Sequence, residues 1–354
     1  MRPSSLLAVF SFLGCLLAMN HPSLGQEQQM AGTIWTQLPA LPDREGFAGS
    51  FAGVSNGALV VAGGANFPER RPWEGGAKIW YDTAFVLDAP NGTWRTGMRL
   101  PRPLGYGVSV STEKGIVCAG GSDSTQHSAD VFLLTWQAGE LHSQPLPSLP
   151  RPCALMCGVM AGGKLYIAGG LARPDAVETL HTFWRLDLSQ PKPVWEELEP
   201  WPGPARMLAT AGAIGDDVYL FSGADLKAGV DGKPERIWLK DAYRYRPGSG
   251  WQKLADLPRV AVAAPSPAVL REPSTLAIIG GDDGSQLGVD PLSHVGFPRK
   301  VQLYDTVHDR WSLGEEVPFS LVTTPSVQWQ DHTVIPGGEA KPAIRSPQVW
   351  WNGP

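Results

Sequence analysis

The chain has 354 residues, with 29 Lys and Arg against 34 Asp and Glu for a formal charge of −5; 18% of residues are charged and 43% hydrophobic. This balance excludes a disordered chain, and with no Lys/Arg run it excludes nucleic acid as a partner. The 41 Gly and 33 Pro exclude long coiled coils and helical bundles and set a turn-rich globular class.

In chain order, the first element is a leader. Arg2 is followed by an uncharged apolar stretch from Leu6 to Met19, then a polar turn and Ser23-Leu24-Gly25. Fourteen residues fall short of the roughly 20 that a membrane-crossing helix needs, so residues 1–25 read as a secretory signal peptide rather than a membrane span. A periplasmic or secreted protein is expected. Phe12-Leu13-Gly14-Cys15 faintly suggests a lipoprotein cleavage box, although Phe is poor at its first position. Cleavage near Gly25 leaves Cys118, Cys153 and Cys157, an odd number that argues against a disulfide framework. On one strand Cys153 and Cys157 would stand about 13 Å apart, too far to bridge. Three buried thiols are expected, with a pairing through Cys118 left open.

Beyond the leader, an apolar run ending in glycine recurs six times. First glycines fall at 63, 120, 169, 223, 280 and 337, with spacings of 57, 49, 54, 57 and 57. Between them a Trp leads into a Leu/Pro turn, as at Trp35, Trp94, Trp195, Trp251 and Trp311, with Trp136 fitting more loosely. Each unit reads as four short strands, and four-strand units at this period mean a β-propeller. The pattern resembles the kelch-repeat family over residues 33 to 351. An all-β, six-bladed kelch-type propeller is therefore expected as a single domain over residues 33–354. After Gly338 only one strand remains, around Gln348 to Trp351, whereas an orphan Trp strand, Ile34 to Leu38, precedes the first unit. The N-terminal strand should complete the last blade and remove its open edge.

Loops leading into the innermost strands and loops after the glycine pairs share one face of such a disc. The first set carries Asp43, Arg44, Glu45, Arg102, Arg151, Arg206 and Arg259, and the second includes Asn66 to Trp80, Ser122 to His127 and Asp282 to His294. A ring of Arg would draw an anion to the axis, but Arg has five donors, and most of these residues are expected to cap loop carbonyls and Asp side chains. The sixth loop stands apart. Glu339, Lys341 and Arg345 follow its glycine pair within seven positions, stiffened by Pro342 and Pro347. A Glu can exchange protons, and an Arg can grip a carboxylate through paired hydrogen bonds.

Gly338-Glu339-Ala340-Lys341-Pro342 with Arg345, the run Glu45 to Asn56, and Ala62-Gly63-Gly64-Ala65-Asn66-Phe67 resemble the bacterial N-acetylneuraminate epimerases, the sialic acid mutarotases. Pro103-Leu104-Gly105-Tyr106-Gly107-Val108-Ser109 continues the likeness. In better-known members the Glu/Arg segment precedes the Phe-Ala-Gly blade, whereas here it closes the chain, as in a cyclically permuted member. The resemblance implies a mutarotase acting on N-acetylneuraminate or a similar keto-sugar acid, with Glu339 as general acid/base and Arg345 holding the sugar carboxylate. Arg44, Glu45, Asn66, Arg102 and His127 are candidate helpers, the two Arg ahead of His127. An acidic sugar is the implied partner, with no metal or other cofactor required and a homodimer as the implied assembly.

Two rival classes use the same scaffold. Copper-radical oxidases need a Tyr crosslinked to Cys and two His ligands, but His127, His142, His181, His294, His308 and His332 occur singly here. A noncatalytic carbohydrate-binding or protein-interaction propeller is the other, since fold does not give function. If Arg345 acts only on the substrate carboxylate, Arg345→Ala should raise KM while leaving thermal stability nearly unchanged.

Overall fold

The apolar runs that end at the glycines form the second strand of each blade. In the first three blades these are Ala58–Ala62, Gly115–Ala119 and Lys164–Ala168, and nearly every residue in them is buried. Continuous burial fits strands covered on both faces, here by the neighbouring blades. The computed structural model describes residues 34–229 and 233–352; the leader expected over residues 1–25 lies outside them. Thr33–Pro354 form one compact unit. Among the described residues no helix is long and apolar enough to cross a membrane.

Six antiparallel four-stranded sheets follow one another around an axis. The first blade is Phe51–Ser55, Ala58–Ala62, Thr83–Leu87 and Arg95–Arg99. Blades two to five span residues 108–146, 157–198, 210–254 and 269–316. The sixth consists of Val327–Trp329, His332–Lys341 and Ile344–Trp351, completed on its outer edge by Thr36–Leu38. Thr36 pairs with Trp351, Gln37 with Trp350 and Leu38 with Val349, so the expected closure by the N-terminal strand is observed. The Trp351 indole donates to Thr36 Oγ1 at 2.7 Å, and Trp35 packs edge-on against Phe319.

Around the axis, one residue per blade takes a left-handed conformation: Gly49, Tyr106, Leu155, Leu208, Ala263 and Thr323, with φ between +54° and +68°. The N–H of each donates to the carbonyl of the one before it at 2.7–2.9 Å, and Gly49 N–H closes the circle onto Thr323 O. Farther out, the indoles of Trp94, Trp195, Trp251 and Trp311 donate to the carbonyls of Pro39, Pro147, Glu199 and Ala255, each reaching the segment that ends the preceding blade. Trp136 differs in position as well as spacing. It lies on the third strand of its blade and donates to Asp88 Oδ1 at 3.2 Å.

The glycine pairs let the next blade come close. Gly169 and Gly170 have φ of +68° and +102°, Gly170 N–H donates to Arg206 O, and a Cβ on Gly169 would lie 2.2 Å from that oxygen. In the fourth blade the structure corrects the repeat: its pair is Ser222-Gly223, with Ser222 in the first position at φ +54°. The true spacings there are therefore 53 and 58. The buried Ser222 hydroxyl donates to Leu239 O and accepts from Ala261 N–H, supplying contacts a glycine cannot.

Arg206 and Arg259 serve as the expected caps. Fully buried Arg206 donates to Ser222 O and to both oxygens of Asp241, and Arg259 donates to Gly280 O and Lys300 O. Cys118, Cys153 and Cys157 are free and buried, and burial pushes all three thiols up, Cys157 to about 12.

Because residues 36–38 form an edge of the last blade, deleting residues 33–38 should lower the melting temperature of the whole ring in one cooperative transition, by roughly 5 °C or more. A melting curve matching that of the intact protein would show that the strand only decorates the sheet.

Candidate active site

In each blade the residue after the glycine pair forms a bridge with the residue just before the axial left-handed position. These bridging residues are Ala65, Ser122, Leu171, Ala224, Asp282 and Glu339. Four are small, apolar or a hydroxyl; the two acids are neighbours around the ring. Glu339 is fixed by two backbone hydrogen bonds with Val322, at 2.9 and 3.0 Å.

The segment after Gly338 is a β-hairpin, not the stiffened loop expected from its prolines. His332–Lys341 and Ile344–Trp351 pair, with Glu339 directly opposite Arg345 and Lys341 opposite Ile344. Pro342, with its fixed φ, precedes Ala343 at φ +62°, which makes a two-residue turn of type II character. Register shifts on either side of Glu339 re-aim its side chain. Ala343 N–H donates to Glu339 Oε1 at 2.7 Å, and Arg345 Nη1 lies 2.8 Å from the same oxygen. Oε2 makes no hydrogen bond among the described residues and is the carboxylate's free face.

The first blade holds Arg345 in place. Its Nε donates to Ala65 O at 3.3 Å, and its guanidinium lies 5.3 Å from the Phe67 ring. Gly46 packs so tightly on the backbone of Ser346 that a Cβ would come within 2.2 Å of it. Only 3% of the Arg345 side chain is exposed, against 20% for Glu339. Its Nε and Nη1 are thus drawn to Ala65 and Glu339 within the protein.

Further side chains surround this pair. Lys78 Nζ lies 5.1 Å from the Trp80 ring and 5.0 Å from the Tyr106 ring. Burial and then the Arg345 charge lower its pKa, with Glu339 opposing. The Tyr106 hydroxyl, buried beside Arg345, is raised chiefly by burial. Burial also raises Asp282 and lowers His294, with the Asp282 and Glu339 charges opposing the shift of His294 and Lys341 adding to it. His294 Nδ1 accepts from Gly296 N–H at 3.0 Å, which leaves Nε2 as the protonated nitrogen of the neutral ring.

The other residues named from sequence take different places. Arg44 projects outward with 87% of its side chain exposed and pairs with Glu45. Burial alone would raise Glu45, but Arg71 and Arg44 outweigh it and hold the carboxyl below its usual range. Asn66, 1% exposed, donates from Nδ2 to Gly46 O and so fixes the turn packed on Ser346. Arg102 is spent on Asp123, Asp130 and Ser128. His127 is buried, and desolvation lowers its pKa. Glu339 and Arg345 are thus brought together, Asn66 supports them through Gly46, and Arg44 and Arg102 are drawn into other ion pairs. Sequence reasoning passed over Lys78, Asp282 and His294 within loops it had marked. Asp282 had a readable signal, since it occupies the position of Glu339 in the preceding repeat.

An axial cavity of ≈ 80 Å³ is bordered by Tyr106 and Thr323. A second cavity of ≈ 330 Å³ lies between Lys78, Trp80, Arg102, Asp123 and Thr125.

Residues 21–143 match the family model of N-acetylneuraminate epimerase. The same name is carried by relatives from Yersinia enterocolitica, 37% identical over 125 residues, and Haemophilus influenzae, 36% identical over 104. Those alignments cover 30% and 25% of this chain and 31% and 27% of the relatives, so the chain matches less than a third of their length. A solved structure titled "Structure of YjhT" shares the fold, with a TM-score of 0.65 and 17% identity over 88% of this chain and 95% of that one. The epimerase match contains Glu45, Asn66, Phe67, Lys78, Arg102 and Tyr106; Glu339 and Arg345 lie outside it, and ring closure alone sets them beside it.

Burial of Arg345 revises the stability expected of its removal. Arg345→Ala strips Ala65 O and Glu339 of a partner and opens the packing on Phe67, so it should cost about 2 kcal/mol, read as a lower melting temperature. An unchanged melting temperature would show that Arg345 does not join the two blades.

Proposed function

We propose that this protein is a mutarotase that interconverts the α and β anomers of N-acetylneuraminate or a similar keto-sugar acid. The observation that carries the reading is the cross-strand pair Glu339–Arg345, set by the ring seam against Ala65 and Phe67 of the segment that matches the epimerase family. The two halves of the resemblance lie at opposite ends of the chain and adjacent in space, and we read that order as a cyclic permutation of the blades.

The chemistry asks for little more than this site offers. Opening a pyranose at its hemiketal carbon removes a proton from the anomeric hydroxyl and delivers one to the ring oxygen; reclosing on the other face reverses both transfers. Glu339, with Oε1 held by Arg345 and Ala343, presents Oε2 to take and return the anomeric proton. The Arg345 guanidinium, together with the positive charge of nearby Lys78, favours a carboxylate on the same carbon. Asn66 donates to Gly46 O in the turn against Ser346 and Glu45 is paired with Arg71, contacts that support reading both as props for the substrate side of the site.

The decisive experiment is NMR of freshly released α-N-acetylneuraminate with catalytic amounts of protein. The wild type should speed anomer exchange, and Glu339→Gln should lose at least about 100-fold of that rate. Binding without acceleration would instead support a noncatalytic carbohydrate-binding propeller. We also propose that residues 1–25 direct export to the periplasm or beyond. Sequencing the N-terminus of protein made in a bacterial host should then find a start near Gln26, and a retained Met1 would contradict export by cleavage.

A further inference from the structure

Lys78 has no task in holding the propeller together. Its ammonium makes no ion pair and no hydrogen bond among the described residues; it rests against the Trp80 and Tyr106 rings at 5.1 and 5.0 Å. Its backbone is fixed by a short ribbon in which Ala65 pairs with Trp80 and Asn66 with Ile79. That ribbon also supplies the Ala65 carbonyl that receives Arg345. One element of the first blade therefore places a second cation beside the Glu339–Arg345 pair, at the mouth of the ≈ 330 Å³ cavity.

The groups around Lys78 constrain what it can do. Arg345 and Glu339 act on it from the sixth blade, Tyr106 from the second, and Trp80 from its own ribbon. Across the cavity Asp123 and Arg102 are paired with each other and leave Lys78 alone. Arg345 cannot give up a proton, and the Tyr106 hydroxyl is buried beside it and shifted away from ionisation. Lys78 is thus the proton-bearing group that stands in the cavity next to Arg345, whereas Asp282 and His294 lie on the fifth blade; burial and Arg345 move the Lys78 pKa downward.

We propose that Lys78 is the second proton-transfer group of the reaction, giving its proton to the ring oxygen as Glu339 takes the proton of the anomeric hydroxyl. This rests on the mutarotase reading. In the opening step the O–H electrons of the anomeric hydroxyl form the ketone C=O bond. The bond from that carbon to the ring oxygen breaks with its electron pair on oxygen, and Lys78 Nζ–H protonates that oxygen. On closure the freed hydroxyl attacks the other face of the ketone, neutral Lys78 removes its proton, and Glu339 returns the first proton to the carbonyl oxygen. Nothing is oxidised or reduced and no co-reactant is consumed.

Lys78→Arg decides between proton transfer and simple charge attraction. Arg keeps the charge but cannot release a proton, so kcat should fall at least about 100-fold with KM within a few-fold of wild type; Lys78→Gln should lose the same kcat and, without the charge, raise KM as well. The wild-type rate should decline as pH rises through the lowered Lys78 pKa, since the protonated amine is needed for opening, and that limb should vanish in both variants. In protein carrying ¹³C-labelled lysine, the Lys78 resonance, assigned by its loss in Lys78→Arg, should titrate below the ordinary lysine value of about 10.4. Full kcat in Lys78→Arg, a loss confined to KM, or titration at the ordinary value would overturn the role of Lys78 while leaving the mutarotase reading intact. A wild-type protein that does not accelerate anomer exchange would overturn both.

Discussion

Six backbone hydrogen bonds running head to tail around the axis are the constraint on which the rest of the molecule depends. Each ties the left-handed residue of one blade to that of the blade before, and the sixth, Gly49 to Thr323, joins the two ends of the domain. Five of these positions are not glycine, and a left-handed backbone costs each of them roughly 1 kcal/mol or more, so the conformation persists because the circle requires it. The residue before each ring position then bridges to the residue after the glycine pair. Axis, glycine pairs and site are therefore one connected construction, and Glu339 owes its depth and direction to Val322, one residue from the ring.

The functional groups gather at the seam where this circle closes. Arg345 comes from the end of the chain and is held by Ala65 and Phe67 from its beginning; the N-terminal strand pairs with Val349, Trp350 and Trp351 just beyond it. Stability and chemistry share these contacts. Arg345 is both the clamp between the first and sixth blades and the cation beside Glu339, while Arg206 and Arg259 in other blades are committed to carbonyls and Asp241. The contrast explains why similar arginines yield one chemical site: Arg206 and Arg259 are spent on fixed carbonyls and Asp241, whereas Arg345 is set against the Glu339 carboxylate.

Much of the architecture was legible because the cues repeat. Apolar runs ending in glycine, recurrent Trp residues and a leftover strand at each end lead directly to six blades and their closure, since period and strand count are properties of the linear chain. The errors have local causes. The fourth pair was misread because Ser222 takes a left-handed turn that glycine marks elsewhere, with hydrogen bonds to Leu239 and Ala261 compensating. The Glu339 segment looked like a loop because its prolines suggest one, yet Pro342 suits a type II turn and the flanking residues pair as strands. Lys78 had no signature in the chain, for its meaning lies in Tyr106 and Arg345, which belong to other blades.

By itself the sequence determined the class of fold, the number of blades, the way the ring closes and the presence of Glu339 and Arg345 in one short segment. Tertiary structure decided which charges are free to act. Arg44, Arg102, Arg206 and Arg345 are the same residue type in comparable loops, and their fates differ through exposure, through Asp123 and Asp130, through Asp241, and through Glu339 with Ala65. Asp123, Asp130, Asp241 and Ala65 lie 21 to 280 residues from their arginines along the chain, and Ala65 meets Arg345 only when the blades close into a circle. Strand periodicity is a local property that can be read residue by residue, whereas the charge state and accessibility of a side chain depend on neighbours that only the closed ring supplies.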